Sequence, residues 1–145
     1  MVRIRELQSE DVEQVSALAA KAFSMPWSAT DFQQLIEDEN SLYLVAESEG
    51  EIVGSCGVTN ICGDGDVNNV MVAEEYRGRG IAQALMQALL KLGTEQGIEN
   101  FTLEVRVSNT PAICVYEKLG FVSEGIRPRF YERPVEDAMI MWKRK

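Results

Sequence analysis

The chain has 145 residues, 46% of them hydrophobic and 26% charged, which is typical of one globular domain with a sizeable core, here expected over 1–145. Its formal net charge of -9 argues against nonspecific binding to nucleic acid, which needs a basic surface. Because the sequence has no histidine, any general base must be a carboxylate, a lysine, a tyrosine, a thiol or water.

The remaining composition indicates the environment of the chain. The three cysteines, Cys56, Cys62 and Cys114, lack metal-ligand spacing, so we expect reduced thiols and no metal. Residues 2–6 alternate charged and apolar, unlike a signal peptide, and the sequence has no apolar run of about 18 residues. We therefore expect a cytoplasmic protein, acting as a monomer, without a membrane or nucleic-acid partner. The negative charge suits a cationic partner, and acidity that only keeps the chain soluble is the alternative.

The first 65 residues show the periodicities of strands and helices. Ser9 or Asp11 can cap a first helix. Ser28 or Thr30 can start a second helix after the break at Pro26. The predicted elements are a strand over 2–6, a helix with its apolar face between 12 and 22, a helix carrying Phe32, Leu35 and Ile36, a hairpin of 41–47 with 51–59, and a turn over 60–65.

A glycine-rich turn joins an apolar strand, 66–72, to a long amphipathic helix that starts near Ile81. The turn reads Arg77-Gly78-Arg79-Gly80-Ile81-Ala82, and Gly93 and Gly97 are expected to close the helix. Glycines there allow successive N–H groups to converge on one anion, which the helix dipole also attracts. The sequence matches neither a Walker A loop nor the dinucleotide fingerprint, which would need Gly or Ala where Gln83 stands. A helix entry that merely tolerates glycine is the alternative.

The C-terminal third predicts a further strand, a helix and two strands. Apolar residues alternate over 101–105 and leave Glu104 on the polar side. Asn109 can cap the next helix, which Gly120 ends. Final strands are expected over 121–125 and 137–142, joined by an arginine- and aromatic-rich loop over 126–136. The element order predicts an α/β (α+β) fold with a mixed central sheet and helices on its faces.

Two separated blocks resemble the GNAT superfamily of N-acetyltransferases. Arg77, Gly80 and Ala82 match its acetyl-CoA loop. The second block matches at Ser108, Asn109, Ala112, Tyr116, Gly120 and Phe121. The resemblance implies a sheet of about seven strands flanked by about four helices. It also implies that the strands on either side of the cofactor loop and its helix splay apart to admit the pantetheine arm.

The same resemblance implies roles for individual residues. Acetyl-CoA would be held by backbone groups of Val70, Met71 and Val72, by the donors of 77–82, and by Asn109. Tyr116 would be the general acid and Glu104 the general base. Each has a simpler interpretation: Asn109 as an ordinary N-cap, Tyr116 as a core aromatic, and Glu104 as an exposed strand glutamate.

Within the family, the resemblance extends along the chain to the branch that acetylates the N-terminal alanine of small-subunit ribosomal protein eighteen. It rests on 26–28, 103–106, 108–121, 127–131 and 136–141. It implies substrate contacts from Trp27, Arg127 and Tyr131, and a basic acceptor N-terminus that carboxylates such as Glu37, Asp38 or Glu39 would attract. The chain departs from the pattern at Phe130, where a tyrosine is usual. Another protein N-terminus, a lysine, a small amine, or a non-catalytic acyl-CoA-binding role are the alternatives.

Overall fold

A mixed sheet of seven strands, with helices on both faces, organises the computed structural model, which describes residues 2–145. In chain order the elements are β1 (Val2–Glu6), α1 (Val12–Ala22), α2 (Ala29–Glu37), β2 (Ser41–Ser48), β3 (Glu51–Ile61), β4 (Asp64–Val72), α3 (Ile81–Glu95), β5 (Asn100–Arg106), α4 (Thr110–Lys118), β6 (Val122–Tyr131) and β7 (Glu136–Lys143). Short 3₁₀ turns precede α1 and follow β4. The predicted α/β fold of about seven strands and four helices is confirmed.

The sheet opens in its middle. Its strand order is β1-β2-β3-β4-β5-β7-β6, and only the β4–β5 pair is parallel. That ladder consists of three pairs: Asp64 with Asn100, Gly65 with Phe101, and Asp66 with Thr102. From residue 67 onward β4 has no ladder partner on the side of β5, so the two strands diverge. The predicted splay is therefore present.

The two faces of the sheet carry separate clusters of buried side chains. On one face α3 buries Leu85 and Leu89 against the centre of the sheet, where α4 adds Tyr116. On the other face α1 and α2 bury Val15 and Phe32 against β2 and β3. These two helices pack on the β2–β4 half, and the polar residues of β5 on the same face are only half-buried.

Several predicted boundaries are correct. The first strand and the hairpin of β2 with β3 have the expected extents within a residue or two. Ser28 caps α2, because its hydroxyl accepts a hydrogen bond from the Asp31 amide at 3.2 Å. Neither Ser9 nor Asp11 caps α1 through its side chain, because the Asp11 carboxylate accepts from Arg5 instead.

Other predictions were wrong for reasons of tertiary packing. Gly93 does not end α3 but is buried inside it, where an added Cβ would lie 3.1 Å from the Phe101 ring. The turn predicted over 60–65 is mostly strand. The loop predicted over 126–136 is also mostly strand, because β6 reaches Tyr131 and pairs with β7 through bulges that accommodate Pro128. None of the helices within residues 2–145 is long and apolar enough to cross a membrane.

Candidate active site

The turn between β4 and α3 presents free backbone donors. Gly78 and Gly80 both have φ of +77°, in the left-handed region that favours glycine. Gly80 is the N-cap of α3, and no side chain accepts a hydrogen bond from the first turn of the helix. The amides of Ile81 and Ala82 therefore point from the positive end of the helix dipole towards an exposed loop. This arrangement can bind an anion such as a pyrophosphate.

Both arginines of the turn brace its backbone. Arg77 donates through Nε to the Val72 carbonyl at 3.2 Å, and Arg79 donates to the Glu75 carbonyl at 3.3 Å. The guanidinium of Arg79 also lies over the Tyr76 ring, 4.9 Å from its centroid. Both side chains are exposed, so their remaining N–H groups face solvent beside the free amides.

The unpaired edge of β4 is held by a buried hydrogen-bond network. Ser55 donates to the carbonyl of Asn69 at 3.1 Å, so the Tyr43 hydroxyl, 2.9 Å away, donates to Ser55. Asn69 has a φ of +53° and lies where the β3–β4 register shifts. The bulge positions the segment containing Val70, Met71 and Val72 along the gap.

Glu104 lies on the open face of β5, beside the gap. Its side chain is half-buried, and one carboxylate oxygen is 3.2 Å from a guanidinium nitrogen of Arg127 on β6. Tyr131 lies near it: burial and the Glu104 charge raise the pKa of Tyr131 to about 12, although Arg106 opposes the shift. The structure thus places the Glu104, Arg127 and Tyr131 side chains near one another.

Tyr116 approaches the same centre from α4. Its ring is buried and packs on Phe121, with ring centroids 5.9 Å apart. Burial raises the pKa of Tyr116, and the neighbouring Cys56 and Tyr131 raise it further, so the phenol keeps its proton at neutral pH. Its hydroxyl makes no hydrogen bond within residues 2–145, and no fully buried polar side-chain atom in that range lacks a partner, so this hydroxyl reaches solvent.

Asn109 has the simpler of its two predicted roles. Its side-chain oxygen accepts a hydrogen bond from the Ala112 amide at 3.3 Å and caps α4. The residue is exposed, which leaves the amide NH₂ group open to a ligand.

Arg106 makes several contacts at the centre of the site, although the sequence analysis gave it no role. Its guanidinium lies over the Tyr131 ring, 4.5 Å from the centroid, and so fixes one predicted substrate contact. The same guanidinium donates to four oxygens, those of Pro134 (2.9 Å), Glu132 (3.0 Å), Ser24 (3.2 Å) and Glu136 (3.2 Å). Arg106 thereby ties the β6–β7 hairpin to the α1–α2 connection. A charged residue at the end of an alternating strand was its only sequence signal.

Trp27 lies in the connection between α1 and α2. Its ring packs on Phe32, with centroids 5.6 Å apart, beside a shallow cavity of about 330 Å³ on α2. Asp38 also lines this cavity, but its carboxylate already accepts hydrogen bonds from Asn40 and Ser41. The ring of Trp27 thus packs against α2, while Ser24, three residues earlier, accepts a hydrogen bond from Arg106, which stacks on Tyr131.

Comparison with known proteins agrees with this geometry. The model of the acetyltransferase (GNAT) family matches residues 12–121. A Bacillus subtilis protein, provisionally named a [ribosomal protein bS18]-alanine N-acetyltransferase, is 36% identical over 96% of this chain and 93% of its own length. An N-alpha-acetyltransferase of Sulfurisphaera tokodaii is 35% identical over 96% of this chain and 90% of its own.

A solved structure shares the whole fold. The crystal structure of the ribosomal-protein-S18-alanine N-acetyltransferase from Escherichia coli superposes with a TM-score of 0.89 at 28% identity. The match covers 99% of this chain and 94% of that one.

Proposed function

The chain belongs to the acetyltransferase (GNAT) family, and from this membership we propose that it transfers acetyl from acetyl-CoA to the N-terminal α-amine of a ribosomal protein, the alanine of bS18. Its relatives support acetyl-CoA-dependent N-acetyl transfer for the chain as a whole. One observation carries the finer proposal: the gap between β4 and β5 has an anion-binding turn at one end and Glu104, Tyr116 and Tyr131 around it.

Acetyl-CoA would occupy the gap. The unpaired backbone of Val70, Met71 and Val72 would hydrogen-bond the pantetheine arm in place of a neighbouring strand. The amides of residues 77–82 would bind the pyrophosphate, with Arg77 and Arg79 beside them. Asn109 would add a side-chain donor from α4. The thioester carbonyl would then lie against β4, next to the open face of β5.

Glu104 and Tyr116 would then divide the proton transfers. The α-amine of a peptide has a pKa of about 7.7 to 8.0, so Glu104, acting through water, need remove only one proton from the ammonium group. The neutral nitrogen forms a bond to the thioester carbon, and collapse of the tetrahedral intermediate breaks the carbon–sulfur bond. The thiolate takes a proton from Tyr116, which stays protonated until then because burial raises its pKa. The nitrogen then releases its second proton to water, which can return a proton to the phenolate that Tyr116 leaves behind.

Arg127, Tyr131 and Trp27 would contact the acceptor peptide. Arg127 and Tyr131 border Glu104, and Phe130, which replaces a tyrosine usual in the branch, stacks under Arg127 at 5.2 Å. Trp27 would contact the peptide from the connection between α1 and α2. Since ribosomal proteins are made in the cytoplasm, the proposal places the enzyme there, as a monomer.

The test is a mass-resolved acetylation assay on the N-terminal peptide of bS18, with an N-terminally blocked peptide that contains a lysine as its control. We expect one acetyl group on the α-amine and none on the lysine. Tyr116→Phe and Glu104→Gln should each lower kcat by about 10²- to 10⁴-fold, the usual contribution of a general acid or base. Glu99→Gln, an exposed change before β5, should leave kcat unchanged.

The outcomes separate the alternatives. Equal acetylation of many different N-termini would replace the ribosomal acceptor with a broader one, and acetylation of the lysine would replace the α-amine. Full activity in Tyr116→Phe would remove the proposed acid. Binding of acetyl-CoA without acetylation of any amine would identify a non-catalytic acyl-CoA-binding protein.

A further inference from the structure

Asp66 lies at the point where β4 and β5 part. Its neighbours Gly65 and Val67 are buried on the α3 face, so the Asp66 side chain lies on the opposite, open face. Asp66 pairs in register with Thr102, and Glu104 follows two residues, about 6.6 Å, further along β5 on the same face. Two carboxylates therefore flank the mouth of the gap.

The Asp66 carboxylate has no partner of its own. It is half-buried, yet within residues 2–145 it accepts no hydrogen bond and forms no ion pair closer than 4 Å. Burial of a charge is unfavourable unless the charge is paired. The other carboxylates beside this face are engaged, Glu104 by Arg127 and Glu136 by Arg106. No contact within residues 2–145 accounts for a carboxylate at position 66.

Asp66, Glu104 and Arg127 together carry two negative charges and one positive charge, so one more cation would balance the group. Asp66 and Glu104 are both acidic, and Arg127 is the single cationic side chain that pairs with either of them in the described chain. Repulsion between the two carboxylates follows from the structure: burial and then the Glu104 charge raise the pKa of Asp66, and Arg127 only partly offsets this. The Arg127 side chain is 54% exposed, so it can move aside for a ligand.

We propose that Asp66 is a second acidic residue of the acceptor subsite, which binds the α-ammonium group of the incoming N-terminus and positions it beside Glu104. This inference rests on the proposed function and deepens it. Asp66 is a positioning residue, because Glu104 removes the proton from the ammonium group and Tyr116 protonates the departing thiolate.

The same charge would distinguish substrate from product. Before transfer the acceptor carries an ammonium group, which completes the charge balance of the two carboxylates. After transfer the nitrogen belongs to a neutral amide, which Asp66 no longer attracts. Asp66 would therefore favour binding of the free N-terminus and release of the acetylated one.

The test compares two ligands with two carboxylate variants. The ligands are the bS18 N-terminal peptide with a free α-amine and the same peptide already acetylated, each titrated calorimetrically. Asp66→Asn is expected to weaken binding of the free peptide about tenfold, which corresponds to about 1.4 kcal/mol, and to leave binding of the acetylated peptide within about twofold. Asp64→Asn is the matched control, because Asp64 lies two residues earlier on the same face and bonds Asn100. It should leave both affinities unchanged.

Kinetics and stability separate this role from others. In Asp66→Asn we expect KM for the peptide to rise about tenfold, while kcat and KM for acetyl-CoA stay within about threefold. The melting temperature should stay equal or rise, since an unpaired half-buried charge is removed.

Three results would overturn the inference. Equal weakening of both peptides would indicate a structural role, no weakening would indicate none, and a large fall in kcat at constant KM would place Asp66 in the chemical step. A wild-type enzyme that acetylates no α-amine would overturn the proposed function, and this inference with it. Acetylation by the wild type with an unchanged Asp66→Asn would overturn this inference alone.

Discussion

Arg106→Ala should separate binding of the acceptor from binding of acetyl-CoA. The guanidinium holds the hairpin loop through the carbonyls of Glu132 and Pro134, and it pairs with Glu136, whose side chain is only 17% exposed. Hydrogen bonds to a charged group contribute about 1.5–3 kcal/mol each, and the freed loop carbonyls can return to water, which favours the lower value. We therefore expect a loss of about 3–4 kcal/mol in the free energy of unfolding.

The functional effect should be confined to the acceptor. Without Arg106 the hairpin loses its tie to Ser24, and the Tyr131 ring loses the cation stacked on it. We expect kcat/KM for the peptide to fall about 10- to 100-fold, because misplacing a substrate by about 1 Å can lower a rate to that extent. The dissociation constant of acetyl-CoA should stay within about twofold, since none of these contacts reaches the turn before α3.

The control is another arginine with the same kinds of contact. Arg144 forms two hydrogen bonds with Glu124 and stacks on Trp142 at 4.2 Å, but at the opposite end of β7. Its pair is exposed, so Arg144→Ala should lower stability by much less than Arg106→Ala does and should leave the peptide KM unchanged. Chemical denaturation, calorimetry with acetyl-CoA and peptide kinetics on both variants complete the assay. An equal loss of acetyl-CoA binding and peptide activity in Arg106→Ala would refute the reasoning.

Three further changes test the framework of the site. Ser55→Ala removes the donor to the Asn69 carbonyl and should lower stability by about 1–3 kcal/mol and weaken acetyl-CoA binding, measured by denaturation and calorimetry, while the peptide KM is unchanged. Gly57→Ala would place a Cβ 2.5 Å from the Tyr43 ring and should lower stability by about 1–3 kcal/mol, measured by thermal unfolding. Asp11→Asn removes a buried ion pair with the arginine of β1 and should lower stability at pH 7 by about 3 kcal/mol.

The pH dependence of Asp11 follows from the direction of its shift. The hydrogen bond from Arg5 lowers the pKa of Asp11 in the folded chain, so the stabilisation is present above the unfolded pKa of about 3.9. It is lost as the pH falls through the lowered folded value. Wild-type stability should thus decline more steeply than that of Asp11→Asn below about pH 5. Parallel acid-unfolding curves of the two proteins would contradict this prediction. Unchanged stability of Ser55→Ala would contradict the prediction for Ser55, and a wild-type melting temperature of Gly57→Ala would contradict the prediction for Gly57.

The turn before α3, the proposed cofactor half of the site, was predictable because its determinants are contiguous. Two glycines, two arginines and a helix start lie within residues 77–82, and positive φ at Gly78 and Gly80 is what that pattern requires. The alternation around Glu104 and the cap at Asn109 are equally local, and both are confirmed. The splay of β4 and β5 was predicted from the resemblance to a family, because the hydrophobic periodicity of the sequence does not indicate it.

The acceptor half was not predictable because its contacts join distant parts of the chain. The partners of Arg106 lie 26 to 82 residues away in sequence. The arginine- and aromatic-rich segment before Tyr131 resembles a loop, yet β7 supplies a long-range ladder that makes it a strand. Gly93 was also misassigned because of a long-range contact. The helix α3 continues past it, and the Phe101 ring occupies the space that a side chain at position 93 would need.

The narrow connection between these halves has a functional consequence. Within the described residues, β4 and β5 pair only over 64–66, between the half of the sheet next to the turn before α3 and the half that carries Glu104 and the hairpin. Ser55 holds the edge of β4, whereas Arg106 holds the hairpin and ties it to the α1–α2 connection. If the proposed sites are correct, changes in the hairpin should alter acceptor choice and leave acetyl-CoA binding unchanged. Tyr116 and Asp66 adjoin the junction, so substitutions there, unlike those of Ser55 or Arg106, should affect how one substrate meets the other.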